Sequence, residues 1–253
     1  MRRPPAPAPS EQLLVTTDFL IEDVHFLQAH PAPRIGHRAL ARGLSDIAAM
    51  GGTPRWCLVS LALAPWATDA WVKGFYKGLL DLAARHKTQL VGGDLSRSNR
   101  VTADIVVLGA APRGHVLLRS GAKPGDAIYV SGVLGGSPDL PEPRLALGRS
   151  LRGRATACMD ISDGLSIDLH RLCLESGVAA AVDRPLPIAH GASLEQALHA
   201  GEDYELLFTS PHRIASRRAL PITRIGTIVD GPSGAMTLFG EPLAPAGWDH
   251  FRP

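Results

Sequence analysis

The sequence predicts an α+β protein of two domains, and three observations favour this fold class. Helix and strand patterns are mixed within two separate blocks of the 253-residue chain. The turn-forming stretch Pro124-Gly125-Asp126 follows the first block and leads into a new apolar run. A chain of this length has room for one large domain or two of ordinary size. We therefore expect a boundary near residue 117, with one domain over 1–117 and another over 118–253.

The first block combines two helices with four strands. "GHRALARGLSDIAAMGG" has apolar residues at helical spacing and ends in Gly51-Gly52, which predicts a helix with its stop signal. Residues 68–86 predict a longer helix, which Gly74 and Gly78 weaken only modestly. Four apolar runs predict strands, namely "LLVTTDFL", "WCLVSLALA", "TQLVGGDL" and "TADIVVLGAA".

The second block opens with the strand "AIYVSG" and continues through a Pro-rich patch at 138–143. "ACMDISDGLSIDL" runs from a short apolar lead into a helix predicted over 163–176. "LHAGEDYELLFTS" reads as a loop that feeds a strand, and "ITRIGTIVDG" and "GAMTLFGEPLAPAG" predict strands near the end. No short internal repeat is present.

Composition excludes several classes of protein. Hydrophobic residues make up 45% and charged residues 20% of the chain, as in globular proteins, and a net charge of +2 without a Lys/Arg run argues against nucleic-acid binding. No apolar stretch is long enough for a membrane span, and "MRRPPAPAPSEQ" lacks the apolar core of a signal peptide. Cys57, Cys158 and Cys173 form no CxxC pair and predict buried thiols in a reducing compartment. We therefore expect a cytoplasmic protein without membrane or nucleic-acid partners.

Four separate segments carry an aspartate at or beside the end of an apolar run. The acids concerned are Asp18 in "LLVTTD", Asp46 in "LARGLSD", Asp94 in "QLVGGD", and Asp160 in "ACMD" with Asp163 one turn later. An isolated aspartate is usually a helix cap or turn former. Caps do not need Thr-Thr or Gly-Gly before the acid, so the full set favours a shared binding role.

Clustered carboxylates without histidine or cysteine partners favour magnesium over zinc. Metal charge would offset the repulsion between Asp160 and Asp163. Gly92 and Gly93 would let backbone N–H groups approach a phosphate closely. The chain contains neither GxxxxGK[ST] nor GxGxxG, so a nucleotide would bind by another scheme.

Seven segments together resemble the thiamine-monophosphate kinase family, in its order and over nearly the whole chain from residue 13. They are "VTTDFLIEDVHF", "LSDIAAMGGTPRWCLVSLALA", "VGGDLSRS", "RSGAKPGDAIYVSG", "MDISDGLSIDL", "AGEDYELLFT" and "GWDHF". "SDIAAMGG", "GGD" and "DISDGL" are shared in part with the wider aminoimidazole ribonucleotide synthetase-like superfamily. The resemblance implies an N-terminal ATP- and metal-binding half that gives strands to a dimer barrel, hence a homodimer, and a C-terminal α/β half.

The resemblance also implies the reaction and the residues that serve it. The γ-phosphoryl of ATP would pass to thiamine monophosphate, giving the diphosphate, with several Mg²⁺ ions as cofactors. The implied magnesium residues are Thr16, Thr17, Asp18, Asp46, Asp94, Asp160 and Asp163. The implied ATP contacts are Gly93, Asp94, Arg119 and Ser162, with Tyr76 a weaker candidate. The implied contacts to the thiamine substrate are His25, Glu202 and Trp248.

Five of the substrate and nucleotide residues also have a plainer interpretation. Trp248 would stack on the cationic thiazolium ring, or else pack on the core. Glu202 would accept from the amino group of the pyrimidine, or else be a solvated turn acid. His25 could instead be a strand histidine whose hydrogen bonds are made within the protein. Arg119 could form an interdomain ion pair, and Tyr76 could simply pack in its helix. For Tyr76 the packing role is the favoured one.

The predicted chemistry needs no general base, and no Ser-His-Asp or Cys-His arrangement is evident. A phosphate monoester has a second pKa near 6, so at pH 7 the acceptor is already largely a dianion. The protein has only to align and neutralise two anionic phosphates, which suits direct in-line transfer without a phosphoenzyme.

The sequence departs from the family upstream of "TTD", where an acidic motif of the Gly-Asp-Asp-Ala type is expected and only "MRRPPAPAPSEQ" stands. Segments before "MDISDGL" and "GEDYEL" are also shorter than usual. Three explanations are open: a misassigned start, which we favour, a shortened active kinase, or loss of turnover with binding kept. Two other functions are alternatives, namely another ATP-dependent synthetase of the superfamily and a non-catalytic sensor of thiamine phosphates or nucleotides.

Overall fold

The computed structural model describes residues 7–216, 220–249 and 251. Their mixed helices and strands confirm the predicted α+β content. The chain divides into two compact units, the first made of Met1–Ile47, Gly52–Gly114 and Asp139–Leu145. The second is made of Ala48–Gly51, His115–Pro138 and Ala146–Pro253. Within the described ranges, no helix is both long and apolar enough to cross a membrane.

The first unit is a four-stranded sheet with two helices. In chain order its elements are β1 (Glu11–Ile21), α1 (Ala32–Ala49), β2 (Thr53–Leu63), α2 (Asp69–Arg85), β3 (Gln89–Arg97) and β4 (Thr102–Pro112). The strand order is β1-β4-β2-β3, and only the β2–β3 pair is parallel. The apolar positions predicted to line the first helix are all buried, namely Ala39, Leu40, Leu44, Ile47 and Ala48.

Two glycines let the helices of the first unit approach closely. A Cβ atom on Gly36 of α1 would lie 1.9 Å from the Phe75 carbonyl oxygen, and one on Gly78 of α2 would lie 1.8 Å from the Pro33 carbonyl oxygen. Such contacts are impossible for any residue with a side chain. The cost that Gly78 imposes on helix propensity is therefore offset by the close packing of α1 against α2.

The second unit is built on a seven-stranded mixed sheet. Its elements are β5 (Ala127–Ser131), α3 (Leu145–Leu151), β6 (Ala157–Asp160), α4 (Leu165–Ser176), β7 (Ala179–Val182), α5 (Leu194–His199), β8 (Leu206–Ser210), β9 (Ile222–Val229), β10 (Met236–Leu238) and β11 (Glu241–Pro242). The strand order is β11-β10-β7-β9-β5-β8-β6. Leu165, Leu169 and Leu172 of α4 pack with Ile128 and Val130 of β5 in the core of this unit.

The structure corrects the expected position of two aspartates. Asp18 lies inside β1 and Asp94 lies inside β3, so neither ends its strand as the apolar runs suggested. Asp160 does end β6. The difference arises because both faces of the first sheet carry polar residues, Asp18 on the side of the buried Leu14 and Leu20 and Asp94 on the side of Asp104. These residues interrupt the apolar run although the strand continues.

Candidate functional site

The helix-facing side of the first sheet holds three of the predicted acids and hydroxyls. Thr16 and Asp18 of β1 alternate with the exposed Thr17, so their side chains share the face of the buried Leu14 and Leu20. The Thr16 hydroxyl donates to Asp46 of α1. The structure therefore brings Thr16 and Asp46 together, as their shared magnesium assignment requires.

The carboxylate of Asp18 already has a cationic partner. Arg42 of α1 donates from Nε at 3.0 Å and from Nη2 at 2.8 Å to the two Asp18 oxygens. This two-point geometry is the strongest form of arginine–carboxylate pairing. A metal ion at Asp18 would have to share the carboxylate with Arg42 or displace it.

The opposite face of the same sheet carries a second polar group. Thr17 donates to Asp104 of β4 over 2.6 Å. Asp94 and Asp104 both line a small cleft of about 240 Å³ on this face, together with Ser60 and Ser96. The sheet thus separates Thr17 and Asp94 from Thr16 and Asp46.

Gly93 occupies a backbone conformation that a side chain would not allow. Its φ is +148°, and a Cβ atom there would lie 1.9 Å from the Val59 carbonyl oxygen on the paired strand β2. The glycine therefore lets β3 run close against β2 immediately before Asp94. This close approach accounts for Gly93, the second glycine of the pair that precedes the acid.

Two candidates for ligand contact in the first unit have protein partners. His25 accepts a hydrogen bond at Nδ1 from the Ile21 backbone N–H over 3.0 Å, so its neutral form carries the proton on Nε2. Tyr76 is half-buried on α2, and its ring meets the Phe75 ring edge-on at 5.6 Å. Burial raises the pKa of the Tyr76 hydroxyl.

In the second unit, one loop between β6 and α4 gathers three motifs that are distant in sequence. The Glu202 backbone N–H donates to the Ser162 carbonyl over 2.7 Å, and the Trp248 backbone N–H donates to the Asp163 carbonyl over 2.9 Å. "DISDGL", "GED" and "GWD" therefore meet at adjacent residues. The structure brings together Ser162, Asp163, Glu202 and Trp248, and Asp160 lies at the start of the same loop, 5% exposed.

Glycines make this meeting possible. A Cβ atom on Gly201 would lie 2.4 Å from the Ser162 carbonyl oxygen, and one on Gly247 would lie 2.4 Å from the Asp163 carbonyl oxygen. The glycines that precede Glu202 and Trp248 thus bring these residues against the loop. Glu202 itself has a φ of +67°, an uncommon conformation for a non-glycine residue.

A completely buried carboxylate, that of Asp168, holds the loop between β6 and α4 in place. Asp168 of α4 accepts from the backbone N–H groups of Ser162 and Asp163, both over 3.1 Å. Arg171 donates from one nitrogen to Asp163 at 2.5 Å and to Asp168 at 2.9 Å. Burial raises the pKa of Asp168 to about 6, against the effect of its hydrogen bonds. Arg171 thus supplies positive charge beside Asp163, where the sequence predicts the charge of a metal ion.

A second buried acid fastens the "GED" turn. Asp203 accepts from three successive backbone N–H groups, those of Gly135, Gly136 and Ser137, at 2.8, 3.0 and 3.2 Å. The Ser137 hydroxyl donates in turn to the Gly201 carbonyl over 2.8 Å. Burial raises the pKa of Asp203, while the three hydrogen bonds lower it.

The remaining predicted residues are Arg119 and the aromatic ring of Trp248. Arg119 is exposed, and its carbonyl accepts from the Ser176 hydroxyl over 3.3 Å. Trp248 is 49% exposed, so much of its surface is accessible to a ligand.

Comparison with known proteins decides the family. The profile described as "AIR synthase related protein, N-terminal domain" matches residues 6–111. The chain is 32% identical to thiamine-monophosphate kinase of Aquifex aeolicus, over 96% of this chain and 89% of that protein. It is 35% identical to the Escherichia coli enzyme, over 95% and 87% respectively. The chain belongs to the thiamine-monophosphate kinase family.

Solved structures of the thiamine-monophosphate kinase family agree with this assignment. The Stenotrophomonas maltophilia kinase superposes with a TM-score of 0.85 at 35% identity, over 94% of this chain and 88% of that one. AaThiL, complexed with AMPPCP and TMP, superposes with a TM-score of 0.89 at 32% identity, over 98% and 90%. A hydrogenase maturation protein, HypE, shares the fold at 17% identity with a TM-score of 0.80.

The family motifs did not reveal every residue that shapes this site. The motifs did not show that three further residues contact the predicted site residues, because these contacts form only in the folded chain. They are Asp104, Asp168 and Arg171. For the same reason the motifs did not show that Asp203 fastens the "GED" turn. "DISDGLSIDL" does contain Asp168 within the motif, and its place on the apolar face of a predicted helix was a usable signal, since a carboxylate is rarely buried without partners.

Proposed function

We propose that this chain is a thiamine-monophosphate kinase, which transfers the γ-phosphoryl group of ATP to thiamine monophosphate. The observation that carries the proposal is the meeting of Glu202 and Trp248 at the Ser162–Asp163 loop. This arrangement combines an acid, an accessible aromatic ring and aspartates that suit metal-bound phosphates. The chain matches the two thiamine-monophosphate kinases named above over 89% and 87% of their length.

Magnesium is the metal that the available donors fit. The predicted ligands offer only carboxylate and hydroxyl oxygens, which Mg²⁺ prefers. Among the described residues, no group of three or more His, Cys, Asp or Glu side chains is arranged to hold a metal ion. Mg²⁺ usually takes only one or two carboxylates and completes its shell with water and phosphate oxygens, so pairs such as Thr16 and Asp46 are suitable.

In the proposed reaction the protein positions the phosphates and supplies no base. Bound Mg²⁺ would neutralise the negative charge on the transferring group. A phosphate oxygen of thiamine monophosphate forms the new bond to the γ-phosphorus, the bond to the β-phosphate oxygen breaks, and ADP leaves. The Asp168 and Arg171 contacts keep Ser162 and Asp163 in place during this exchange. We assign ATP and metal binding chiefly to 1–117, with Gly93 and Asp94 as nucleotide contacts there. Tyr76 is the weaker candidate, because its ring packs against Phe75.

The central test is production of ADP by the purified chain. With ATP, magnesium and thiamine monophosphate we expect ADP and thiamine diphosphate in equal amounts, and no ADP when thiamine monophosphate is left out. Binding of ATP and thiamine monophosphate without turnover would instead identify a sensor. ADP formed only with a different acceptor would identify another synthetase of the superfamily.

We expect Trp248→Ala to raise KM for thiamine monophosphate about 5- to 30-fold, because a cation–π contact of roughly 1–2 kcal/mol is lost. KM for ATP should change little. Steady-state kinetics with each substrate varied in turn measures both values. Phe239→Ala is the control, since Phe239 is also an exposed aromatic residue of the second unit. An unchanged KM for thiamine monophosphate in Trp248→Ala would exclude the stacking role.

We also propose that the chain forms a homodimer through the open face of the first sheet. Leu13, Val15 and Phe19 of β1 are 45%, 55% and 57% exposed, and they share this face because they alternate with the buried Leu14 and Leu20. A row of exposed apolar residues along one strand is unusual on a monomer surface. A second copy that packs its own sheet against this face would bury them and complete the barrel expected for the family.

We expect Val15→Asp/Phe19→Asp to convert the dimer into a monomer, because each change places an unpaired charge in the buried interface. Light scattering after size exclusion should then give 26.8 kDa in place of twice that mass. Leu80→Asp, on the exposed side of α2, should leave the dimer intact. A wild-type chain that runs as a monomer would overturn the proposal.

A further inference from the structure

The second unit contains a cleft that the proposed reaction does not use. Its volume is about 650 Å³, and its lining comes from β5, β9 and the segment that follows β8. Four of the lining side chains are basic, namely Arg184, His212, Arg213 and Arg224. Of the described residues that line it, none is an aspartate or glutamate.

The cleft lies on the other face of the sheet from α4. Ile128 and Val130 of β5 point into the core that α4 shares, whereas Ala127 and Tyr129, which alternate with them, line the cleft. Tyr129 stacks on Phe208 with the ring centres 5.3 Å apart, which gives this face a small apolar base of its own.

The cleft is also distant along β8 from the candidate active residues. Asp160 pairs with Leu206, the first residue of β8, whereas Pro211 of the cleft follows Ser210, the last residue. Four residues of extended strand span roughly 13 Å. A ligand in the cleft would therefore not contact Asp160 or the loop that it begins.

The positive charges of the cleft are poorly compensated. In the part of the chain that the structure describes, Arg213 has no ion pair or hydrogen bond. Among the residues that the structure describes, the Arg184 guanidinium has one ionic partner, Asp183 at 3.9 Å, and both side chains are more than half exposed. Arg224 donates to the Gly226 carbonyl at 3.3 Å and to the Thr227 hydroxyl at 2.9 Å, which fixes its position without neutralising it.

These features define the chemistry of a ligand. Guanidinium groups match phosphate oxygens in shape and charge, and Arg224, which is already held by two hydrogen bonds, loses little entropy when it binds. The volume is in the range of small-molecule sites. We propose that this cleft is a second ligand site, which binds a small molecule carrying a pyrophosphate group.

Calorimetric titration of the full chain in EDTA provides the test, because metal-dependent binding of phosphates is then suppressed. The probes are inorganic pyrophosphate, ADP and thiamine diphosphate, which share the pyrophosphate group and differ in the attached group. We expect at least one to bind, and its affinity to fall about 10-fold or more in Arg213→Ala/Arg224→Ala, since both changes remove charge-assisted hydrogen bonds to the pyrophosphate group. The probe with the highest affinity shows which group, if any, the cleft prefers beside the pyrophosphate.

Two variants guard against a folding artefact. Arg213→Ala alone removes a side chain that has no ion pair or hydrogen bond among the described residues, and it should also weaken binding at an unchanged melting temperature. Arg149→Ala, an exposed arginine of the same unit outside the cleft, should bind as the wild type does. Failure of all three probes to bind would overturn the proposal, as would equal binding by the double variant. Binding of an oligoglutamate peptide in place of the probes would also overturn it, in favour of an acidic protein partner.

Discussion

Replacing Asp160 with asparagine is expected to lower kcat by at least about 100-fold at saturating ATP and thiamine monophosphate. The carboxylate lies at the end of β6, is 5% exposed and begins the loop that carries Asp163. Asparagine keeps the size of the side chain but removes the negative charge that a magnesium ion requires. The effect should therefore be on turnover and on the magnesium concentration needed for half-maximal rate.

The measurement is a magnesium titration of the initial rate at fixed substrates. Asp230→Asn serves as the control, because Asp230 is an exposed acid of the same unit. It should retain the wild-type rate and magnesium dependence. A wild-type rate in Asp160→Asn would remove this residue from the proposed metal site.

The second large effect is expected for Asp168→Asn, which should lower the free energy of unfolding by about 2–4 kcal/mol. One Asp168 oxygen accepts from two backbone N–H groups, and the other accepts from Arg171. Asparagine has a single oxygen, so its amide group must face either the backbone donors or the guanidinium. Either orientation leaves donors facing each other in a site with no access to solvent.

The same variant should reduce kcat/KM by about 10-fold or more even when fully folded, because Ser162 and Asp163 lose their fixed position. Denaturant unfolding gives the stability, and kinetics well below the melting temperature gives the activity. Glu175→Gln changes an exposed acid of the same helix and should affect neither. Stability within about 0.5 kcal/mol of the wild type would show that Asp168 does not hold the loop.

Long apolar runs, periodic helices and short strands such as β5 and β8 were predictable from sequence, whereas the short helices α3 and α5 were not. The sequence pattern predicted β2, β4, α1 and α2 because each extends over at least eleven residues with a clear period. It missed α5, which has six residues and too few turns to show a period. Ser193 and Gln196 form a capping box there, a signal that could have been read from the sequence. The sequence pattern also missed α3, which directly follows the Pro-rich patch.

The candidate site was predictable as a set of motifs but not as a set of contacts. The resemblance to the family implied that Asp163, as a metal ligand, and Glu202 and Trp248, as substrate contacts, serve one reaction. The hydrogen bonds that join them run between backbone atoms, whose partners depend on how the chain folds and not on residue type. The sequence did not reveal that Arg42 pairs with Asp18, because this side-chain pair depends on how α1 packs against β1. The separation of Thr16 from Thr17 was a readable signal, since successive side chains of a strand point to opposite faces of the sheet.

The three backbone amides that converge on Asp203 form a receptor for an anion, and the protein fills it with a group of its own. Phosphate-binding proteins leave such a receptor open for the substrate. Here the occupant is covalently attached at high local concentration, so free phosphate or sulfate in the cell competes poorly for it. Because Asp203 occupies these three amides, they are not available to bind phosphorylated ligands away from the candidate site.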